Sequence, residues 1–442
     1  MSSPQDLAAL AHESGTTFIL ALFVDLNGKP CAKLVPVEAV DTLATEGVGF
    51  AGYAVGAIGQ EPRDPDLMAI PDAASFTPIP FVKQGLALVH CDPHVNGRPW
   101  PFAPRNILRA QIASADAAGF EAWVGAEVEY FLLKRDGCAL VPADDADTAA
   151  QPCYDARGVT RMYDHLASIS RAMNALGWGN YANDHEDGTG QFEQNFAYAD
   201  ALTTCDRVIT LRYLLSVLAA ERGMIATFMP KPFADKTGSG LHLHLSLTSD
   251  GAPLFPAGDD DRGLGLSGTA YSFIGGILEH ARALQAVIGP TVNSYKRTGA
   301  VSTASGASWA PRTATYGGND RTHYVRVPDD QRVELRGGDG SANPYLAVAV
   351  ALAAGLDGVA RGIDPGPVGT GPVDATLPAT LLHAVEQLEE DALIGAALDA
   401  AVEPDSGVSG VADYYAGLKR EEFWSWHSSV GSWERDRYLT AF

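Results

Sequence analysis

The sequence is poor in basic residues and in cysteine. Its 31 Lys and Arg residues stand against 54 Asp and Glu residues, a formal net charge of −23 over 442 residues. No basic stretch could follow a phosphate backbone, so nucleic acid is not an expected partner. The five cysteines form no Cys-x-x-Cys pair. We therefore expect free thiols in a reducing, cytoplasmic environment.

Long hydrophobic runs and a nucleotide-binding loop are also missing. The longest apolar run, residues 345–356, is too short to span a bilayer. Residues 1–15 carry no Lys or Arg that could begin a signal peptide. We expect a non-secreted protein without a membrane segment. Because no Walker-type G-x-x-x-x-G-K-[ST] motif occurs, nucleotide binding has to depend on other residues.

The organisation of the chain indicates two domains. Strand patterns at residues 17–24 and 33–35 predict a small mixed unit in the first hundred residues. A Pro-rich stretch at 97–104 marks a boundary, so we predict domains at 1–103 and 104–442. Apolar spacing predicts an amphipathic helix over 162–176. Further helices are predicted near 107, over 207–222, 272–288 and 343–360.

Four short segments place reactive side chains on one face of a strand and apolar side chains on the other. In the first segment, Glu127 and Glu129 alternate with Val128 and Tyr130. The others place His242, His244 and Ser246 between leucines, Glu334 between Arg332 and Arg336, and Glu193 in a polar strand shortly after Glu186. This shared pattern predicts that the strands line one site.

Carboxylates gathered on one buried face need a positive partner, because an isolated ionised carboxylate in a low-dielectric interior costs many kcal/mol. Oxygen-rich ligand sets suit hard divalent cations such as Mg²⁺ or Mn²⁺. The arginines that could bind carboxylates or phosphates are Arg297, Arg321, Arg326, Arg332 and Arg336. Two metals beside several arginines predict phosphoryl transfer or ligation rather than hydride or acyl chemistry.

Each pattern also has a common structural explanation. A Glu-x-Glu strand is usually a solvated sheet face, and a His-x-His pair is as often structural as ligating. An Arg-x-Glu-x-Arg strand is commonly a surface ion-pair ladder of little energetic value. The joint occurrence of these patterns, with the apolar half of each strand intact, favours a single shared site.

Longer motifs lie between residues 23 and 347. They are FVDLNG from Phe23, GAEVEYFLL from Gly125, NDHEDGTGQFEQN from Asn183, MPKPFADKTGSGLHLHLSL from Met229, PTVNSYKR from Pro290, GGNDRTHYVRVP from Gly317 and RVELRGGDGSANPYLA from Arg332. The chain thereby resembles the glutamine synthetase family over nearly its whole length. The resemblance is greatest to the shorter type III-like and γ-glutamylmethylamide synthetase branch.

The resemblance implies a role for each matching residue. A first metal would be held by Glu129, Glu186 and Glu193, and a second by Glu127, His242 and Glu334. Phosphates and nucleotide would be contacted by His244, Ser246, Arg326 and Arg332, and glutamate by Arg297, Arg321, Arg336 and the backbone of Gly238. Arg321 would also be catalytic, together with Asp25, which matches the family's ammonium-binding aspartate.

The resemblance also implies a fold, an assembly and a reaction. The expected fold is α+β, with a small N-terminal β-grasp-like domain and a catalytic α/β domain whose curved antiparallel sheet forms a funnel-shaped active site. Active sites would lie between subunits of a dodecamer of two hexameric rings, with Asp25 reaching a neighbour's site. The γ-carboxylate of L-glutamate would attack ATP in the presence of Mg²⁺ or Mn²⁺, and an amine would then displace phosphate from γ-glutamyl phosphate.

Two departures from the family pattern bear on specificity. Ammonia-using members carry a glutamate in the loop after the NSYKR motif, whereas residues 298–319 of this chain contain no acidic residue. A loop of small residues plus Trp309 leaves room for an alkyl group, so methylamine is the expected acceptor and ammonia the alternative. The second departure, Gly337-Gly338, is expected to loosen the loop beside Arg336.

Other functions remain open from the sequence. Polyamine acceptors would favour acidic residues along the amine entrance, which residues 298–319 do not supply. The alternative of a different class is a non-catalytic structural or regulatory assembly with the same fold. Such a protein is expected to lose metal ligands, because clustered carboxylates destabilise a protein without the cation. Every expected ligand is present in this sequence.

Overall fold

The smaller of two sheets is built by the first hundred residues. The computed structural model describes residues 6–299, 303, 309–404 and 410–442. In the N-terminal unit the helices are α1 (Leu7–Glu13), α2 (Val40–Glu46) and α3 (Gly52–Val55), with 3₁₀ turns at Val37–Ala39 and Ala73–Ser75. The strands are β1 (Phe18–Val24), β2 (Pro30–Pro36), β3 (Val48–Phe50), β4 (Leu67–Pro71), β5 (Thr77–Pro78), β6 (Leu86–Val95) and β7 (Arg98–Pro99).

The centre of this sheet is a parallel pair, β1 and β6, in the order β2-β1-β6-β4-β3. Ile19 and Phe23 point into the unit's own core, where Phe23 packs edge-on against Phe50 with ring centroids 4.9 Å apart. Leu22 and Val24 point the other way, into the core of the larger unit. Because both faces of β1 are buried, its sequence is an almost continuous run of apolar residues.

The larger unit holds the remaining elements. Its helices are α4 (Pro104–Ala117), α5 (Ala156–Arg161), α6 (Tyr163–Ala175), α7 (Ala201–Ala220), α8 (Gly268–Glu279), α9 (Ala281–Ile288), α10 (Ser294–Thr298), α11 (Pro344–Arg361), α12 (Leu381–Glu390), α13 (Ala392–Leu398), α14 (Val411–His427) and α15 (Ser432–Tyr438). Its strands are β8 (Glu121–Asp136), β9 (Ala139–Pro142), β10 (Ala182–His185), β11 (Gln191–Asn195), β12 (Ala199–Asp200), β13 (Ile225–Thr227), β14 (Leu241–Ser249), β15 (Ala252–Pro253), β16 (Tyr316–Gly317), β17 (Val325–Asp329) and β18 (Arg332–Leu335).

The large curved sheet follows the order β10-β11-β8-β14-β18-β17-β16. Its pairs are antiparallel except for the short parallel pair β16 and β17 at one edge of the described strands. On β8, Val128, Tyr130 and Leu132 are fully buried in the core, as the alternation predicted. The mixed fold with a curved, mainly antiparallel catalytic sheet is thereby confirmed.

Helix α11 lies in the core, packed against α4, α7, α8, α9 and α13. It is long and apolar enough to cross a membrane by composition, but 67% of that window is buried inside the protein. Asn343 caps its first turn, and Gly362 ends it with a left-handed φ of 63°. A Cβ added to Gly276 of α8 would lie 2.0 Å from Ala354 O, so glycine permits the close approach of α8 and α11.

One predicted helix differs from the structure. Residues 272–288 were expected to be one continuous helix, but α8 ends at Glu279 and α9 begins at Ala281. His280 lies at the break, with Nδ1 2.7 Å from Asp391 Oδ2 and Nε2 3.3 Å from Asp357 Oδ2. These two carboxylates hold the imidazole at the junction, and apolar spacing carries no signal of either contact.

A buried arginine on α4 joins the two units. Arg105 lies just beyond residue 103, where the sequence places the domain boundary. That boundary stays a prediction. Its guanidinium donates to Asp72 at 2.7 Å and to Asp92 at 2.6 Å in the N-terminal unit. It also donates to Asp206 of α7, at 2.9 and 3.0 Å. Removing one partner from such a buried cluster is strongly destabilising, because the remaining charges lose their compensation.

Candidate active site

The register of the large sheet brings the predicted site residues into neighbouring cross-strand pairs. Glu193 on β11 lies opposite Glu129 on β8, and His242 on β14 lies opposite Glu127. His244 lies opposite Glu334 on β18. Directly opposed residues project from the same face of a sheet, so the separate strand segments form one continuous polar surface.

A first group of carboxylates consists of Glu129, Glu186 and Glu193. One oxygen from each lies within 4.8 Å of the others. Glu129 Oε2 accepts the Gly240 N–H at 2.7 Å, and Glu193 Oε1 accepts from the Asn195 amide at 2.8 Å. Burial and the neighbouring carboxylates raise the pKa values of Glu186 and Glu193 well above the usual range. Ionisation of all three carboxylates together is therefore unfavourable unless a cation compensates their charge.

A second group surrounds His242 and contains Glu127 and Glu334. His242 Nδ1 lies 2.9 Å from Glu127 Oε2 and 3.7 Å from Glu334 Oε1. His244 Nε2 lies 2.9 Å from the other Glu127 oxygen, while its Nδ1 accepts from Arg332 Nε at 3.1 Å. Burial opposes ionisation of Glu127, but the hydrogen bonds from both histidines outweigh it and hold the Glu127 pKa well below its usual range. This group therefore presents ionised carboxylates.

The first group fits a divalent cation as a set, whereas around His242 the ligand atoms within 4.8 Å of one another belong to Glu127, Glu193 and His242 and to Glu127, His244 and Glu334. The donors are carboxylate oxygens and one imidazole, which Mg²⁺ and Mn²⁺ accept. His242 Nε2 is buried and has no hydrogen-bond partner within the described residues. It lies 3.8 Å from Glu129 Oε1, between the two groups. A buried nitrogen without a partner beside clustered carboxylates is the arrangement expected of a metal ligand.

Two of the three arginines expected to bind glutamate are buried and incompletely paired, while the third, Arg321, is exposed. Arg297 and Arg336 are 5% and 3% exposed. Arg297 Nη1 and Arg336 Nε have no hydrogen-bond partner in the part of the chain that the structure describes. Burial lowers the pKa of Arg297. Buried N–H donors without partners favour an anionic ligand, because leaving them unsatisfied costs about 1–3 kcal/mol each.

Two adjoining cavities contain most of the predicted site residues. The first, of about 680 Å³, is lined by Glu127, Glu129, Glu186, Glu193, Gly238, His242, Arg297, Arg321, Arg326 and Arg336 among others. The second, of about 790 Å³, is lined by Glu127, His244, Ser246 and Arg332 among others. Glu127 and Tyr181 line both cavities, so the two spaces meet there. Glu334 is fully buried behind the surface, where it forms an ion pair with Arg326 at 2.5 Å.

Asp25 lies apart from these residues, in the turn after β1. It lines neither cavity and is 3% exposed. Its Oδ1 accepts the N–H groups of Asn27 and Lys29, at 3.0 and 2.9 Å, and its Oδ2 accepts the Ala57 N–H at 3.3 Å. Burial raises the pKa of Asp25 despite these bonds. Within one chain, Asp25 is therefore a turn residue, and its predicted role depends on a neighbouring subunit.

Several cavity residues had no assigned role in the sequence interpretation. Asp184 lines the first cavity outside both carboxylate groups, and burial with Glu127 and Glu129 raises its pKa to about 6. Tyr154 and Tyr181 line the same cavity. Asp184 lies within the NDHEDGTGQFEQN motif, where no role was assigned to it. Neither tyrosine belongs to a pattern of strand alternation, so the sequence gives no signal for them.

The acid-free loop is only partly described. Residues 300–302 and 304–308, on which the alkylamine prediction largely depends, lie outside the described residues. Trp309 is described and lines the first cavity. Its indole N–H donates to Asp187 Oδ2 at 3.1 Å, and Thr237 Oγ1 donates to the same oxygen at 2.9 Å. Trp309 is thereby joined to the turn after β10, which carries Glu186, and to the loop that carries Gly238.

The fold and the site together match one enzyme family. Residues 101–438 match the family described as "Glutamine synthetase, catalytic domain". The chain belongs to the glutamine synthetase family, whose members are ligases that form C–N bonds and generally use ATP and divalent metals. The resemblance seen in the sequence is thereby confirmed.

Individual relatives cover nearly the whole length of the chain. A glutamine synthetase of Rhizobium leguminosarum bv. phaseoli is 41% identical, with 98% of this chain and 99% of that protein aligned. A glutamate–methylamine ligase of Methyloversatilis universalis is 39% identical over the full length of both. A solved structure described as a GmaS/ADP complex is 45% identical, with a TM-score of 0.90 over 98% of this chain and 99% of that one.

Proposed function

We propose that this enzyme joins an amine to the γ-carboxyl of L-glutamate at the expense of ATP, through a γ-glutamyl phosphate intermediate. The observation that carries the proposal is the meeting of two cavities at Glu127. One cavity holds buried arginines with unsatisfied donors, which suit the carboxylates of glutamate. The other holds His244, Ser246 and Arg332, which suit phosphates. A glutamate and an ATP placed in them would meet at their reactive ends.

The residues of the chain would act mainly by orientation and charge neutralisation. Arg297 and Arg336 would fix glutamate, while Arg321 and Arg326 on the cavity wall would face the anionic centre between the substrates. Bringing a carboxylate against a triphosphate is opposed by repulsion between like charges. Fixed positive groups offset that repulsion without reorganising during the reaction. Holding both reactants in line also removes the entropic cost of a bimolecular encounter.

Two Mg²⁺ or Mn²⁺ ions would complete the site. Glu129, Glu186 and Glu193 would hold one, and Glu127, His242 and Glu334 the other. Divalent cations bound there would neutralise phosphate charge and orient the two substrates relative to each other. The raised pKa values of Glu186 and Glu193 and the unpartnered Nε2 of His242 support this assignment.

The acceptor is proposed to be a short alkylamine, methylamine above all, with ammonia as the second candidate. Support for methylamine comes from the loop at 298–319, which lacks an acidic residue, and from the full-length similarity to a glutamate–methylamine ligase. Support for ammonia comes from the equally extensive similarity to a glutamine synthetase. An apolar pocket separates neighbours that differ by one methyl group only modestly, so both amines are expected to react.

A ring-shaped homo-oligomer in the cytoplasm is the proposed working form, as a dodecamer of two hexameric rings. Asp25 supports an active site shared between subunits. It is ordered in a turn against Asn343, whose amide donates to the Asp25 carbonyl at 3.0 Å, yet it lines neither cavity of its own chain. A neighbouring subunit could receive it at the amine end of its cavity.

The testing experiment is steady-state phosphate release by purified protein with Mn²⁺, ATP and glutamate. Methylamine, ethylamine, ammonia and putrescine would be compared at matched concentrations. We expect the highest kcat/KM with methylamine or ethylamine. A clear preference for ammonia would make the enzyme a glutamine synthetase. No turnover with any amine would overturn the proposal and favour a non-catalytic assembly.

A further inference from the structure

Helix α14 carries a lysine in the middle of its apolar face. Residues at steps of four along this face are buried, namely Val411, Tyr415, Lys419 and Phe423. Lys419 is only 3% exposed. Burying an ammonium group is costly, and an apolar residue of similar volume is often as stable or more stable at such a position. The packing of α14 therefore does not explain why this residue is a lysine.

The ammonium group of Lys419 points to the turn that follows β1. Lys419 Nζ donates to Asn27 Oδ1 at 2.7 Å. On its own helix it also lies 3.8 Å from Glu422 Oε2 and 5.2 Å from the centroid of the Tyr415 ring. The shortest of these three contacts joins α14 to the N-terminal unit. The lysine thus connects two parts of the chain that are distant in sequence.

Asn27 belongs to the same turn as Asp25. The Asn27 N–H donates to Asp25 Oδ1 at 3.0 Å, so Asn27 is held by Lys419 through its side chain and by Asp25 through its backbone. The charges also interact. Burial lowers the pKa of Lys419, and the carboxylates of Glu422 and Asp25 act in the opposite direction. The lysine is therefore linked to Asp25 by geometry and by charge.

Helix α14 is itself fixed to the unit that carries the cavities. Glu422 Oε1 accepts the Val292 N–H at 3.0 Å, and the Tyr415 hydroxyl donates to the Ala286 carbonyl at 3.1 Å. Val292 belongs to the PTVNSYKR segment, shortly before Arg297. Lys419 therefore extends from a helix that is held at two points, and its bond to Asn27 fixes the turn relative to the larger unit.

We propose that Lys419 is a positioning residue that holds the turn of Asp25 in the orientation needed to enter the active site of a neighbouring subunit. The inference rests on the proposed function, because it takes Asp25 to act on the acceptor amine there. Lys419 would touch no substrate and would act through Asn27. A lysine would be kept in the apolar face because an apolar residue has no donor for Asn27.

The substitution Lys419→Met separates this role from a purely structural one. Methionine fills a similar volume and makes the buried face of α14 continuously apolar. Asn27 is exposed and the Glu422 side chain is 34% exposed, so water can replace the contact that each loses. The variant should therefore keep its Tm. If Lys419 only stabilised the fold, the same substitution would lower Tm.

The test compares Lys419→Met with Asn27→Ala, with the double variant and with Asp25→Asn. Arg420→Met is the control, because Arg420 is the next residue on α14 but pairs with Glu389 at 2.6 Å, on a partly exposed side of the helix. For each protein, kcat/KM would be measured for methylamine and for ammonia. KM for glutamate, KM for ATP and Tm would be measured alongside.

We expect Lys419→Met to lower kcat/KM about tenfold for both amines, the value of one hydrogen bond to a charged group. KM for glutamate and for ATP should change less than about twofold, and Tm should not fall. Asn27→Ala should have a similar effect. The double variant should lose no more than either single variant, because both substitutions remove the same contact. Arg420→Met should behave like the wild type.

Several results would overturn the inference. A lower Tm for Lys419→Met, with kcat reduced and the KM values unchanged, would make the lysine structural. Losses that multiply in the double variant would show that Lys419 and Asn27 act separately. Wild-type kinetics for Lys419→Met beside an inactive Asp25→Asn would show that the turn holds Asp25 without the lysine. A wild-type enzyme that uses no amine, or an unaffected Asp25→Asn, would contradict the proposed function itself.

Discussion

Substituting one carboxylate of the first group should stabilise the metal-free protein, although it damages the site. Glu129, Glu186 and Glu193 have oxygens within 4.8 Å of one another. Two full charges at that distance repel by about 3.5 kcal/mol at an effective dielectric constant of about 20. The raised pKa values of Glu186 and Glu193 relieve part of this repulsion through protonation. We therefore expect Glu193→Gln to raise the free energy of unfolding by about 1–2 kcal/mol without metal.

The expected change in Tm follows from the size of the chain. An unfolding entropy of about 2.1 cal/mol/K per residue over 442 residues makes 1 kcal/mol equal to about 1 °C. Glu193→Gln should therefore raise Tm by about 1–2 °C in EDTA. Mn²⁺ at a hundred times its Kd should stabilise the wild type by about 2.7 kcal/mol, or about 3 °C. This is the contribution of one occupied site, so the variant should lose most of the increase that comes from the first group and keep the increase that comes from the second.

The assay is differential scanning fluorimetry of both proteins in EDTA and in a Mn²⁺ titration. Glu121→Gln is the matched control, because Glu121 lies on the same strand as Glu129 but is exposed. Glu121→Gln should change neither the Tm in EDTA nor the increase in Tm with Mn²⁺. A lower Tm of Glu193→Gln in EDTA, or an undiminished response to Mn²⁺, would refute the assignment of this group as a metal site.

Three other perturbations test separate parts of the account. Arg297→Lys should raise KM for glutamate about tenfold to hundredfold and leave KM for ATP unchanged in steady-state assays, since a buried charged hydrogen bond is lost. Burial opposes protonation of His280, but its hydrogen bonds to Asp391 and Asp357 outweigh burial and raise its pKa in the folded protein. The stabilisation from the protonated imidazole is therefore complete below pH 6.5 and is lost as the pH rises through the raised pKa. His280→Gln should accordingly lower Tm more at pH 6 than at pH 9; equal losses would contradict this. Coexpression of the inactive Asp25→Asn and Arg297→Ala chains should restore activity if subunits share sites, and should not if each chain uses its own Asp25.

The sequence predicted the polar face of the large sheet well, because strand alternation is a local signal. Tyr130 and Leu132 point into the core, and Glu127 and Glu129 point into the cavity, as the period of two requires. The pairing of one strand with another, by contrast, is not a local signal. That Glu193 pairs with Glu129 is fixed by register between distant segments, and only the family resemblance implied that the two belong to the same metal group.

Glycine at 337 and 338 shows where local signals mislead. The pair was expected to loosen the loop beside Arg336, and this expectation is wrong. A Cβ at Gly337 would lie 2.2 Å from the Tyr324 ring, and one at Gly338 would lie 2.7 Å from Leu241 O. The glycines therefore permit tight packing, and Arg336 is buried and ion-paired with Glu334. Glycine is compatible with both flexibility and close approach, and only the three-dimensional contacts distinguish them.

Strain and long-range contacts explain most of what the sequence could not predict. The positive φ of Tyr154 depends on a turn attached to His185, and nothing in the residues 152–155 alone indicates it. Asp25 was assigned by resemblance, and its single-chain environment of backbone N–H groups does not reveal a ligand. Its predicted role depends on an assembly that one chain does not contain.

The most direct test of the central claim follows oxygen from glutamate into phosphate. Glutamate labelled with ¹⁸O in its γ-carboxyl group would be incubated with ATP, Mn²⁺ and methylamine, and the released phosphate analysed by mass spectrometry. A γ-glutamyl phosphate intermediate requires one labelled oxygen to leave with each phosphate, alongside γ-glutamylmethylamide. Unlabelled phosphate would contradict the account, because it would mean that ATP is hydrolysed without activating the carboxyl group.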